Sequence, residues 1–96
     1  MKHCILVKYK ESVDEARKEQ LRSEIQALFG QLLPMDGIYK VELIPNVTSL
    51  PNRYDLLIRI EMDSAVMSAY YETEVHRRWK REYGELLDKK AIFDYQ

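Results

Sequence analysis

Cysteine is nearly missing from this chain. Cys4 stands alone, so no internal disulfide can form. It lies inside an apolar run, which suits a small buried residue better than a reactive thiol. No apolar stretch approaches the ~20 residues needed to span a bilayer, and no apolar run of signal-peptide length leads into a small-residue cleavage site. Cytoplasmic residence and no membrane partner are therefore expected. Excess charge of one sign is also lacking. Fifteen Lys and Arg face 16 Asp and Glu, a net charge of -1, so nothing in the total favours nucleic acid or an acidic membrane surface. There is no phosphate-cradling glycine loop, nucleotide fingerprint or Ser/His/Asp arrangement. Two histidines far apart in sequence, with no paired cysteine, fall short of a zinc signature, so neither a metal nor a cofactor is expected. What is present, 96 residues with 46% hydrophobic and 32% charged, has the composition of one ordinary globular domain over residues 1–96.

Patterning gives the elements. Lys2 to Tyr9 reads as a strand, with His3, Ile5, Val7 and Tyr9 on one face and Cys4, Leu6 and Lys8 on the other. Both faces are largely apolar, which places the strand mid-sheet. Ser12-Val13-Asp14-Glu15 has the form of a capping box, and Leu21, Ile25, Leu28 and Leu32 then form one helical stripe. Pro34 ends that helix, and Asp36-Gly37 is a turn signal. Ile38 to Ile44 is a second strand, with Tyr39, Val41 and Leu43 as its apolar face. Tyr54 to Met62 alternates most clearly. Tyr54, Leu56, Ile58, Ile60 and Met62 face a core, while Asp55, Arg59 and Glu61 form either a cavity lining or an ion-pair ladder.

A short helix over 64–72 follows, with Thr73 as a second N-cap. A further helix carries Val75, Trp79, Tyr83 and Leu86 along one side, and His76 borders that stripe. The run His76-Arg77-Arg78-Trp79-Lys80-Arg81 is basic, but Glu72, Glu74, Glu82 and Glu85 surround it. It reads as a solvated helix face, and no nucleic-acid partner is expected. Lys89 to Tyr95 is a last strand.

The order β-α-β-β-α-β is that of the split βαβ, ferredoxin-like arrangement. It is an α+β fold with both helices on one face of a four-stranded antiparallel sheet. The bare face would carry some of Ile5 or Leu6, Leu57 and Ile92. Exposed apolar surface of that size marks a partner site. A symmetric homodimer, packed sheet to sheet around a barrel-like cavity, is expected.

Several short motifs add to this: Lys2-His3 through Lys10 in the first strand, Tyr54-Asp55-Leu56, Tyr70 followed by Thr73-Glu74-Val75-His76, and Ile92-Phe93-Asp94-Tyr95. In their order and spacing they resemble the stress-responsive α/β-barrel (Dabb) family over nearly the whole chain. The resemblance implies a dimeric α/β barrel of ferredoxin-like subunits, usually without a cofactor, in a family where many members have no assigned activity. A plant polyketide cyclase of the family closes a linear polyketide by aldol condensation, using a Tyr and a His at its pocket. The matching positions here are Tyr70 and His76, with the same six-residue separation, and a further pocket histidine matches His3. Thr73 and Glu74 stand where the family often has the first His and the Pro of a His-Pro-x-His turn.

The chemistry suits these residue types. A histidine titrates near neutral pH and can take a proton from a carbon beside a carbonyl, while a tyrosine hydroxyl can donate to the developing enolate. The plainer reading stands beside it: His76 near a helix start hydrogen-bonding a backbone group, Tyr70 anchoring a core. Two function classes follow. One is a small-molecule enzyme or carrier using the dimer's barrel cavity, cyclase-like in its sharpest form. The other is a non-enzymatic homodimer that binds a ligand or partner in a stress response.

Overall fold

The computed structural model describes residues 1–96. Four strands, β1 (Lys2–Tyr9), β2 (Ile38–Pro45), β3 (Leu56–Met62) and β4 (Leu87–Tyr95), form one antiparallel sheet in the order β2-β3-β1-β4. Helix α1 (Glu15–Gly30) links β1 to β2. A 3-10 turn (Ser64–Val66), α2 (Met67–Tyr71) and α3 (Glu74–Arg78) link β3 to β4, followed by one π-helical turn (Trp79–Tyr83) and a second 3-10 turn (Gly84–Leu86). The fold is α+β and ferredoxin-like, as the element order predicts.

The core lies between the sheet and the helices. Ile5, Val7 and Tyr9 of β1 meet Leu56, Ile58, Ile60 and Met62 of β3 and the α1 stripe of Leu21, Ile25, Leu28 and Phe29. Each aliphatic side chain fully buried here contributes roughly 1.5–3 kcal/mol. Phe29, on the turn after Leu28, belongs to the stripe and is absent from the four-residue periodicity.

Four local details depart from expectation. Asp14, not Ser12, caps α1: its carboxylate accepts the Arg17 N–H at 2.8 Å. β3 starts at Leu56 rather than Tyr54, because Asp55 turns inward to accept the Tyr9 N–H at 2.8 Å and to pair with Lys18 at 3.1 Å. In β2 the register shifts between Ile38 and Lys40. That bulge buries Ile38 and turns Tyr39 out to solvent, where its hydroxyl donates to Asp63. The final helix is broken into α, π and 3-10 turns, and Leu87 already belongs to β4.

Gly37 is required where it stands. Its φ is +88°, and a Cβ there would come within 2.3 Å of Val66 Cγ2. The turn it makes holds the start of β2 against the end of β3, where Asp63 N–H donates to the Gly37 carbonyl.

The other face of the sheet carries no helix. Cross-strand pairing puts Leu6 beside Leu57 and Ala91, Ile44 beside Leu57, and Cys4 beside Arg59 and Phe93 on that face. Arg59 pairs there with Glu42 at 2.9 Å and donates to the Tyr95 hydroxyl at 3.2 Å. An ion pair does cross this face, with Glu42 as the partner, while Asp55 is elsewhere. Ile5 lies under the helices. Ile92 is on the helix side at the uncovered edge of β4.

Candidate functional site

Thr73 fixes the two residues that flank it. It has extended backbone at the break between α2 and α3. Its hydroxyl donates to the Tyr70 carbonyl at 2.7 Å and accepts the His76 N–H at 3.2 Å. One side chain thus ends the helix that carries Tyr70 and begins the one that carries His76. The N-cap role expected of Thr73 is met, and it does here what a turn must do to aim the histidine.

The rings of Tyr70 and His76 meet edge to face, with centroids 5.1 Å apart. His3 rises beneath them from the helix-facing side of β1, 5.5 Å from Tyr70. His3 and Tyr70 are completely buried and His76 is half-buried. The structure therefore brings together all three side chains singled out in the sequence, although 67 residues separate His3 from Tyr70. It places them differently from expectation. They lie between sheet and helices within one subunit, not on the bare face that a second sheet would cover. Strand parity decides this: His3 shares its face with Ile5 and Val7, which are core residues.

Two neighbours escaped the sequence reading. Asp94 is paired with His3 in the β1–β4 register, and its Oδ1 lies 2.6 Å from His3 Nδ1. In the Nδ1–H tautomer the carboxylate accepts that proton and Nε2 is left without a partner. Tyr71 covers the group from the solvent side. Its ring lies 5.3 Å from Tyr70, 5.1 Å from His76 and 6.3 Å from His3, while the residue itself is 44% exposed. The doublet Tyr70-Tyr71 was the available signal for Tyr71. Asp94 stands in the last-strand motif, but nothing there links it to His3, because strand register is not written in sequence.

The electrostatics shift Tyr70 and His76 in opposite directions. Burial drives the Tyr70 hydroxyl well above the usual tyrosine range, and the neighbouring Tyr71 adds to this. His76 is pushed below its ordinary value of 6.5, chiefly by burial and then by the positive charges of Lys80 and Lys90. At neutral pH the pair is a protonated phenol beside a neutral imidazole. Two buried side-chain oxygens find no partner in the chain, Tyr70 Oη and Tyr9 Oη. Of these, Tyr70 sits against both histidines. No group of three His, Cys, Asp or Glu side chains is gathered closely enough to hold a metal ion.

Three cavities lie elsewhere. Two are polar clefts at the far end of β1, around Tyr9, Lys18, Thr48 and Asp55. The third is an apolar groove of about 390 Å³ on the bare face, lined by Leu6, Ile44, Val47, Tyr54 and Leu57. None of the three is lined by His3, Tyr70 or His76.

Comparison with solved structures places this arrangement. A Dabb family protein with a ferredoxin-like fold from Mesorhizobium loti superposes with a TM-score of 0.75 at 14% identity, over 99% of this chain and 93% of that one. The chain has a Dabb-type, ferredoxin-like fold. A dimeric ferredoxin-like protein of unknown function from Bacteroides fragilis matches this chain with a TM-score of 0.80 at 18% identity, covering 99% and 93%. The hydroxynitrile lyase of Passiflora edulis shares the fold at a TM-score of 0.71 and 12% identity, covering 98% and 89%. No family sequence model matches the chain, and no curated protein matches it in sequence.

Proposed function

We propose that this protein is a homodimeric acid–base catalyst acting without a cofactor on a small, polyketide-like carbonyl compound at His3, Tyr70 and His76. The observation that carries the reading is the Tyr70 hydroxyl, buried without a partner in the chain and packed against two histidines. Leaving a buried hydroxyl unpaired costs about 1–3 kcal/mol, and folds keep such groups where a ligand needs them. Neutral His76 removes a proton from the carbon beside a carbonyl. The C–H electron pair becomes the enolate, and its oxygen takes the hydrogen bond from Tyr70. The enolate carbon then bonds to a second carbonyl carbon of the same molecule, and the new alkoxide recovers the proton from His76. His3, held in one tautomer by Asp94, orients the substrate oxygen. The hydroxynitrile lyase of the same fold, an enzyme that by its name breaks a carbon–carbon bond at a hydroxyl-bearing carbon, supports chemistry of this class. Substrate enters by displacing the Tyr71 ring.

The test is turnover of short linear β-polyketide thioesters by wild type and His76→Ala. The variant is expected to lose about 10²–10⁴-fold in kcat/KM. Because His76 must be neutral, and its pKa is lowered from 6.5, activity persists below pH 6.5 and falls only as the pH drops through the lowered value. An acid limb above 6.5, or a His76→Ala variant as active as wild type, rejects this assignment. One observation favours a second reading, a dimer that binds without catalysing: Tyr71 touches all three rings and keeps them closed. Ligand binding with no turnover on the same panel would select it.

The dimer rests on the bare sheet face, with Phe93 64% exposed and Ile44 and Tyr95 also open to solvent. The dimeric Bacteroides fragilis protein supports it. Sedimentation is expected to give twice the 11.5 kDa chain mass, and Phe93→Glu, which puts a charge on the β4 side of that face, is expected to give monomer. A wild type that sediments at the chain mass at micromolar concentration removes the dimer from the proposal.

A further inference from the structure

The charges around His76 are arranged one-sidedly. Between Glu74 and Glu82 each arginine has a carboxylate: Arg77 and Arg81 pair with Glu74, and Arg78 pairs with Glu82 at 2.7 Å. Lys80, the remaining cation of this segment, has no such partner. It is four residues after His76, so the two lie on the same side of the helix. Lys90 approaches from a different element. It is on β4 opposite Val7, hence on the helix side of the sheet, where the edge strand is left uncovered and Lys90, Ile92 and Asp94 are all exposed. Lys90 also has no ion-pair partner, and the one carboxylate on that stretch of edge, Asp94, is taken by His3. The lysines beside His76 both act against its protonated form, and a backbone hydrogen bond with Tyr71 acts the other way.

We infer that the uncovered strip between α3 and β4 receives an anionic group, so that the substrate of the proposed acid–base site is a carbonyl compound that also carries a carboxylate. This rests on the reading of His76 and Tyr70 given above. Lys80 and Lys90 hold the carboxylate at the rim, and the carbonyl end then points inward past Ile92 towards His76 and Tyr70. Two unpaired cations brought from two elements to one imidazole raise the local concentration of anions there. They are poor company for a protonated histidine and suitable company for a neutral base whose substrate brings the negative charge.

The probes are acetoacetate and its methyl ester, which differ in the charge and share the carbonyl. Binding is followed by NMR through the ring resonances of His76 in wild type, in Lys80→Gln/Lys90→Gln, and in Lys89→Gln, a neighbouring lysine that faces the other side of the sheet. Wild type is expected to prefer acetoacetate by about tenfold, a range set by two exposed charge pairs. The preference should vanish in Lys80→Gln/Lys90→Gln, persist in Lys89→Gln, and fade in about 0.5 M salt, where the Debye length is only ~4 Å. Equal binding of acid and ester, or a preference that survives in the double variant or falls as far in Lys89→Gln, overturns the inference and leaves the acid–base site standing. If neither probe moves His76, both fall.

Discussion

Replacing Tyr70 with phenylalanine should make the protein more stable and stop it working. The substitution removes one oxygen and keeps the ring, so the contacts with His3, Tyr71 and His76 survive. The oxygen removed is buried with no partner in the chain, so folding no longer strips it of water for nothing in return. A gain of about 1 kcal/mol follows, or roughly 4–8 °C in Tm for a chain of this size. The same oxygen is the proposed donor to the enolate, and loss of one such donor lowers kcat by about 10²–10³-fold. Opposite signs in stability and activity are what a scaffold role cannot produce. The alkaline limb gives a second readout. Tyr70 holds its proton in the folded protein to a higher pH than in the unfolded chain, where it titrates near 10. Above pH 10 the unfolded state therefore binds fewer protons and gains, so wild-type stability falls as pH rises. In Tyr70→Phe that decline should be shallower. It should persist in part, because burial also pushes Tyr9 up to about 12. Thermal melts from pH 7 to 11 check both statements. A lower Tm with unchanged turnover would sink the assignment of Tyr70.

Trp79→Ala is expected to have the largest effect on folding. The indole is buried, stacked on Tyr83 at 5.8 Å and set edge-on to Phe29 at 5.4 Å. It bridges the π turn to α1, beside the Tyr83 hydroxyl, which donates to Glu24 at 3.2 Å. Truncating a buried Trp costs about 3–5 kcal/mol, against a total of only ~5–15 kcal/mol for a domain. The urea midpoint should therefore fall by about a third or more. Trp79→Phe should recover most of the loss. A drop under about 1 kcal/mol would mean that the core closes without the indole. Because Trp79 follows His76 by three residues in the same helical run, Trp79→Ala should also blur the His76 ring environment.

The sheet was legible in the sequence because period-two alternation is a property of each strand alone. Tyr54 to Met62 shows this best: of the five residues the alternation names, Leu56, Ile58, Ile60 and Met62 are buried, and Tyr54, which precedes the strand, is only half-buried. What needs two strands at once was not legible. His3 lies on a strand that is apolar on both sides, so parity could not say which side the helices take, and the candidate residues, expected to face the dimer cavity, lie on the helix side. Asp94 reaches His3 only through the β1–β4 register, which no local pattern carries. The bulge that turns Tyr39 outward arises from the turn at Gly37, where the backbone must follow a positive φ and re-enter the ladder out of phase. Thr73 was legible because a cap is local. Its hydroxyl needs only the residues three before and three after it.

That hydroxyl has one more consequence, for timing. It joins the Tyr70 carbonyl in the last turn of α2 to an N–H in the first turn of α3, so it ties the segments bearing Tyr70 and His76 together. On the acid–base reading proposed above, admitting a molecule between them need not depend on the two helices swinging apart. It falls instead to Tyr71, a half-exposed ring that needs only to change rotamer. Such flips occur in picoseconds to nanoseconds, whereas loop and domain closures take microseconds to milliseconds. On that reading, opening this door is not expected to be the slow step of turnover.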